Sequence, residues 1–204
     1  MAKLWIIVDN QLPPPETHYD LAIWPTHQEP TEAELRSWAG WAETPLLAGS
    51  VHTGVWGYTR DLKEWPSSDL SLGQGRVWRF DGRYLAWLDS IALRVPETAR
   101  ALALAGVDLL IAENPKTPPT PYQDPLWRSV QANQIFGLTV APEPFWYLPC
   151  DSDPNEEGWS QPTRVSGGYA ISYDFQDLAQ ARRLFPIHQG LRAPLYRQER
   201  WWGS

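Results

Sequence analysis

A chain of 204 residues is long enough to bury one sizeable core; folding at this length removes roughly 70% of the unfolded surface from water, so stability needs neither disulfides nor metal. A net charge of −7, with three lysines among seventeen basic residues, argues against nucleic acid and anionic membrane as partners. The single cysteine, Cys150, excludes a disulfide framework within the chain and fits a reducing compartment.

The opening MAKLWIIVDNQ meets charge at Asp9 after a short apolar run. It lacks the core of a signal peptide, and no apolar run is long enough to cross a membrane. The expected address is cytosolic. Leu4 to Val8 suits a buried strand, followed by the loop NQLPPPETHYD. LAIW, Leu21 to Trp24, is a second strand closed by Pro25. Thr31 and Glu34 then form a capping-box pair ahead of Leu35, Trp38, Ala39 and Ala42 at helical spacing. PLLAGSVH and VWGYT read as adjacent strands, and RVWRFDGRYLAWLDS as a hairpin turning at Asp81-Gly82.

Pro96, Glu97 and Gly106 mark the start and stop of a helix whose apolar face is Ala99, Leu102 and Ala103. VDLLIA is continuously apolar, as a strand covered on both faces should be. ENPKTPPTPYQDP is a loop, LWRSVQANQIF a helix, GLTVAPE a strand and LPCDSDPNEEGWSQPT a long surface loop. GYAISYDF is the closing strand, and QDLAQARRLFP a helix with Leu178, Ala181 and Phe185 on one face. Strands mixed with helices, without Pro/Gly-rich linkers, predict a single layered α/β domain over 1–204, with 193–204 as a Trp-rich tail.

The candidate chemistry is sparse. Ser90 stands where a strand turns sharply into a helix, a place that can display a nucleophile. It has no Gly-x-Ser-x-Gly around it, and His52 would have to reach it through the fold. Cys150 lies beside Asp151 and Asp153, which raise a thiol pKa. His18, His27, His52 and His188 lack metal-ligand spacing, so no metal and no cofactor is expected. Gly73 to Gly75 reads as a turn, not a dinucleotide loop. Glu113 and Asn114, after the central strand, are the best polar pair for a pocket. Thirteen tryptophans at irregular intervals imply no repeat and are expected to fill core and subunit contacts.

These strings, in this order, resemble the nitrilase or carbon–nitrogen hydrolase superfamily. LRVPETARALALAGVDLLIAENP is similar to the segment that follows the family's cysteine nucleophile, with Arg94, Pro96 and Glu97 matching its pattern. PLLAGSVHTG, WRSVQANQIFGLTV and YAISYDFQDLAQARRLFPIHQGLR resemble three further family elements, so the resemblance runs from about Asp20 to Arg192. It implies an α-β-β-α sandwich of two stacked mixed sheets flanked by helices, and a dimer formed through helical layers. It also implies a Cys–Glu–Lys triad acting on amides or nitriles: thiolate as nucleophile, carboxylate as base, ammonium as oxyanion partner.

Carried over position by position, the nucleophile falls on Ser90, the general base on Thr26 with no acid until Glu29, and the lysine on Arg60, with Lys63 close enough to leave that register open. A second family Glu corresponds to Asp69. In the later helix, family Arg and Glu become Ser129 and Ala132, and Asn133 remains. A thiol with pKa about 8.5 can be ionised near neutrality, whereas a serine hydroxyl needs a strong adjacent base. Thr26 cannot supply one, and loss of a general base alone costs roughly 10²–10⁴-fold. The resemblance further implies a chain reduced in size. IIVDNQLPPPETHYDLAIW leaves no room for a family helix between the first two strands, and Cys150 to Thr163 runs almost directly into the final strand.

The expectation is therefore a catalytically silent or strongly diverged nitrilase-like domain that acts by binding or assembly. Its partner would be a second copy or another protein, met through the helical layer and Trp-rich surfaces, with a small-molecule ligand as a further candidate. Alternatives are an amide-type hydrolase using Ser90 with Arg60 or Lys63, and an aromatic-rich small-molecule binding module that shares only a βαβ pattern with the family.

Overall fold

The computed structural model describes residues 2–7, 18–42, 44–50, 54–59, 63–65, 67–69, 75–113, 124–140, 144, 146–148 and 159–184. In chain order the elements are β1 (Ala2–Ile7), β2 (Leu21–Pro25), α1 (Glu32–Ala42), β3 (Leu46–Ser50) and β4 (Gly54–Tyr58). Next come β5 (Ser67–Asp69), β6 (Gly75–Phe80), β7 (Arg83–Asp89), a 3-10 turn (Ser90–Arg94), α2 (Pro96–Leu104) and β8 (Val107–Glu113). The last are α3 (Pro125–Asn133), β9 (Phe136–Thr139), β10 (Trp146–Tyr147), β11 (Trp159–Ser160), β12 (Thr163–Val165), β13 (Gly168–Tyr173) and α4 (Phe175–Leu184). The class is α/β, with two mixed sheets that each carry helices. The chain parts into two compact units, Met1–Ser67 with Pro162–Asp174 and Ser68–Gln161 with Phe175–Ser204.

The first unit holds a six-stranded sheet in the order β12-β13-β1-β2-β3-β4, parallel at β1–β2 and β2–β3 and antiparallel elsewhere. Period-two alternation sends Trp5, Ile7, Ala22, Leu46 and Ala48 into one cluster with Trp38 of α1. Leu4, Ile6, Leu21, Ile23 and Leu47 are buried on the opposite face. Trp5 is stacked on both Tyr19 and Trp38, with ring centroids 5.7 and 5.4 Å apart. The capping box forms as the sequence predicts: the Thr31 N–H donates to the Glu34 carboxylate at 2.7 Å, and Thr31 Oγ1 accepts from the Glu34 N–H. The Thr31 hydroxyl also donates to that carboxylate at 2.7 Å, and this bond first, then the backbone one, holds the Glu34 carboxyl below its usual range. Close approach of β1 and β13 requires Gly168, because a Cβ there would lie 1.9 Å from the carbonyl oxygen of Ile6.

The second unit holds a seven-stranded sheet in the order β11-β10-β9-β8-β7-β6-β5, with β7, β8 and β9 parallel. β8 is buried at every position, as expected of a covered strand, and the burial includes Asp108 and Glu113. Ala86, Leu88, Leu110 and Ala112 pack under Ala99, Leu102, Leu126 and Val130 of α2 and α3. Gly137 lets α3 sit close, since a Cβ there would meet Val130 at 2.4 Å. The β6–β7 hairpin turns at Asp81-Gly82, both with positive φ. α3 is capped by Asp124, which is fully buried; one carboxylate oxygen accepts the Leu126 N–H at 2.8 Å and the other the Tyr147 O–H at 3.0 Å. Burial raises the Asp124 pKa against the pull of these two bonds, and burial with the Asp124 charge raises that of Tyr147.

One expectation changes. The stretch expected as one long loop before the closing strand contains β11 and the first residue of β12: Tyr147 pairs with Trp159, and Thr163 with Ala170. Backbone pairing, which no side-chain pattern in that acidic segment announces, makes these strands. The expectation of no helix between β1 and β2, the turn at Gly73 to Gly75, Phe185 and the 193–204 tail fall wholly or partly outside the described residues.

Replacing Gly168 by alanine is expected to cost about 3 kcal/mol or more, because the neighbour it meets is backbone; urea unfolding measures it. Tyr147→Phe is expected to cost about 1–3 kcal/mol at neutral pH by removing a donor from a buried carboxylate. A raised carboxyl contributes its stability below the unfolded value, about 3.9, and loses it as pH rises through the folded value. The Tyr147→Phe deficit should therefore shrink as pH falls from neutral toward the ordinary carboxyl range, since the raised Asp124 takes up its proton before a free carboxyl does; unfolding at neutral and acidic pH checks it.

Candidate functional site

The corner at Ser90 is built from backbone bonds. β7 ends at Asp89, in extended conformation with φ −68° and ψ 136°, and its carboxylate accepts the Ile91 N–H at 2.8 Å. Ser90 is the first residue of the 3-10 turn, whose Leu93 is buried as its anchor. Val95 is extended again, donating its N–H to the Ala92 carbonyl, and Pro96 opens α2. The strand, sharp turn and helix expected from the sequence are present, with Ser90 at the C-terminal end of a parallel strand, where open α/β sheets place their ligands.

Beside this corner Asp89 pairs in register with Glu113, the last residue of β8. Glu113 is buried, and one carboxylate oxygen accepts the Trp87 indole N–H at 3.1 Å. Trp87, two residues before Asp89, is itself fully buried. The sequence points to Glu113 but not to its donor. A tryptophan 26 residues upstream meets it only because β7 and β8 run parallel. Asn114 lies outside the described residues.

The other candidate positions belong to the first unit. Thr26 follows β2, its N–H donating to the Gly49 carbonyl at 3.0 Å. Its hydroxyl oxygen accepts the Gln28 N–H at 3.3 Å, closing a short side-chain turn. Thr59 and Lys63 exchange backbone and hydroxyl bonds that close the loop between them, the Thr59 N–H meeting the Lys63 carbonyl at 2.8 Å. Lys63 is exposed at the end of that loop; Arg60, within it, lies outside the described residues. Tyr58 pairs with Glu64 across the same loop. Burial, with the charges of Glu29 and Glu64, raises the Tyr58 pKa.

In α3, the Ser129 hydroxyl donates to the Pro125 carbonyl and the Asn133 amide to the Ser129 carbonyl, so both stitch the helix to itself. Asp69 lies in the edge strand β5. His18 and His27 are exposed, while His52, His188 and Cys150 are not among the described residues. Among the described residues no group of three or more His, Cys, Asp or Glu side chains could hold a metal ion. Nor is any helix there long and apolar enough to cross a membrane.

As a sequence the chain matches no protein-family model and no curated protein. Its fold is that of the nitrilase superfamily. Nit3 of Saccharomyces cerevisiae, a member of branch 10 of that superfamily, superposes with TM-score 0.60 at 12% identity, over 94% of this chain and 96% of the other. XC1258 of Xanthomonas campestris, a CN-hydrolase superfamily protein with an arsenic adduct in its active site, gives 0.60 at 14% identity, over 92% and 96%. A variant amidase from Nesterenkonia sp. AN1, with an acetamide moiety added covalently at its active-site cysteine, gives 0.53 at 14% identity, over 93% and 97%. The likeness in fold thus extends beyond a single βαβ unit to nearly the whole chain.

If the Trp87 indole holds the buried Glu113 carboxylate, Trp87→Phe and Glu113→Leu should be coupled by at least about 0.5 kcal/mol in a double-mutant cycle. Additive costs in denaturant unfolding would remove the bond from the account of this corner.

Proposed function

We propose that this chain is a nitrilase-fold domain that no longer hydrolyses carbon–nitrogen bonds and acts by binding or by assembly. The observation that carries this reading is the serine at the end of β7, where the resemblance places a cysteine nucleophile. A serine hydroxyl there needs a base. The carboxylate nearest in sequence, Asp89, already accepts the Ile91 N–H. The position that the resemblance assigns to the general base is Thr26, whose hydroxyl oxygen takes part in a turn with Gln28. Threonine has no proton affinity near neutral pH with which to serve as a base. The cysteine adduct described for the Nesterenkonia amidase depends on a thiolate that Ser90 cannot provide. A fold kept without its chemistry still offers shaped surfaces, and function belongs to those surfaces, not to the fold.

The test is exposure of the full chain to primary amides, nitriles and activated esters, with product formation and intact mass followed together. No turnover and no adduct are expected. Hydrolysis that disappears in Ser90→Ala, or an acyl adduct mapped to Ser90, would make the protein a serine-dependent hydrolase and end this reading.

A further inference from the structure

Three residues of the first sheet stand in one row: Trp24 of β2 pairs with Ala48 of β3, and Ala48 with Trp56 of β4. Opposed residues share a face of the sheet, and neighbouring strands lie about 4.8 Å apart, so the two tryptophans are rooted about 10 Å apart. Ala48 between them is fully buried, whereas both tryptophans are only half-buried and pack against the cluster that contains it. The backbone is shaped to seat one of these rings. A Cβ on Gly54 would lie 3.0 Å from Cζ2 of the Trp56 indole, and a Cβ on Gly49 would lie 3.0 Å from its Cε3; both glycines have positive φ. Trp56 thus lies against backbone that is bare by necessity. A ring held this way is rigid while part of its surface stays open to water, so covering it costs little ordering entropy.

Resting on the reading that the domain acts by binding, we propose that the Trp24–Ala48–Trp56 row is a saccharide platform, which takes a neutral sugar by stacking its ring face on the indoles. The groups beside the row select that occupant. Thr26, next after β2, donates its N–H to the Gly49 carbonyl, and its hydroxyl closes the turn that sets exposed Gln28 and Glu29. Tyr58 lies two residues beyond Trp56, where burial first, then the charges of Glu29 and Glu64, raise its pKa. The segments Trp24 to Glu29, Leu46 to Ser50 and Gly54 to Tyr58 contain no lysine or arginine. Negative charge here, with −7 over the chain, disfavours phosphorylated sugars and nucleotides. An ionised carboxylate only accepts hydrogen bonds, so the ligand must bring donors, as a polyol does and a proline-rich peptide does not. Aromatic faces joined to a few polar groups are the ordinary make-up of a small-molecule site, and an indole face suits the C–H side of a pyranose.

Calorimetry and saturation-transfer NMR of the full chain with a panel of neutral oligosaccharides (maltotriose, cellotriose, mannotriose and chitotriose) test this, with glucose 6-phosphate and a decaproline peptide alongside. Saturable binding of at least one neutral sugar is expected, with the phosphorylated sugar several-fold weaker. Trp24→Leu and Trp56→Leu should each weaken binding roughly tenfold or more. Tyr84→Ser, which removes an exposed ring from the second unit, should leave it unchanged. Glu29→Lys, at an exposed position, should narrow the discrimination against glucose 6-phosphate; this variant keeps the test valid even if a tryptophan variant fails to fold. No binding across the panel, binding indifferent to both tryptophan variants, or preference for glucose 6-phosphate or decaproline overturns the proposal. Hydrolysis assays on the same samples separate the two ideas. A Ser90-dependent hydrolase that still binds sugar through Trp24 and Trp56 defeats only the reading of inactivity, and a silent chain that binds no sugar defeats only the platform.

Discussion

The structure of the second unit depends on one constraint: β8 is buried along its whole length yet carries carboxylates near its start and at its end. A buried charge is tolerated only when hydrogen-bonded or paired. At the start, Tyr84 pairs with Val107 but Leu85 pairs with Leu109, so Asp108 is skipped as a bulge. Its carboxylate meets Arg182 at 2.8 Å and Arg83 at 3.6 Å. Arg182 also donates to the Gln134 carbonyl, so one guanidinium ties α4 both to β8 and to the end of α3. At the far end Glu113 takes the Trp87 indole. The central strand is thereby fixed by polar contacts at both ends, one end docking a helix and the other lying beside the Ser90 corner.

That arrangement separates what the fold needs from what chemistry needs. Asp89 must cap the turn, Leu93 must anchor it and Pro96 must start α2, whether or not Ser90 reacts with anything. A corner maintained by backbone bonds and burial keeps its shape whatever chemistry the residue at its first position has. The nitrilase fold persists here at 12–15% identity, because burial pattern and backbone pairing tolerate almost any apolar exchange that keeps volume and period. A thiolate, a carboxylate and an ammonium tolerate none.

Local signals were read well where they are local. The Thr31–Glu34 box, the Asp81-Gly82 turn, Pro96 and Gly106 around α2, and the apolar run Leu109, Leu110, Ile111 and Ala112 of β8 each act within a few residues of chain. The short strands β10, β11 and β12 were missed because two- and three-residue strands exist only through their partners. Glu113 was legible as a polar residue after a buried strand. Its bond to Trp87, the Asp124–Tyr147 pair and the Asp108–Arg182 clasp were not, since their members lie 23 to 74 residues apart.

The sequence alone determined the α/β class, the capping box of α1, the limits of α2 and the Asp81-Gly82 turn, because period, caps and turn chemistry are written in adjacent positions. Tertiary structure alone decided which buried carboxylates are satisfied and by whom. It decided that Trp5, Trp38, Trp78, Trp87 and Trp146 are buried while Ile91 and Val95 face water. Those outcomes depend on strand order and register, which bring together residues that no local pattern connects.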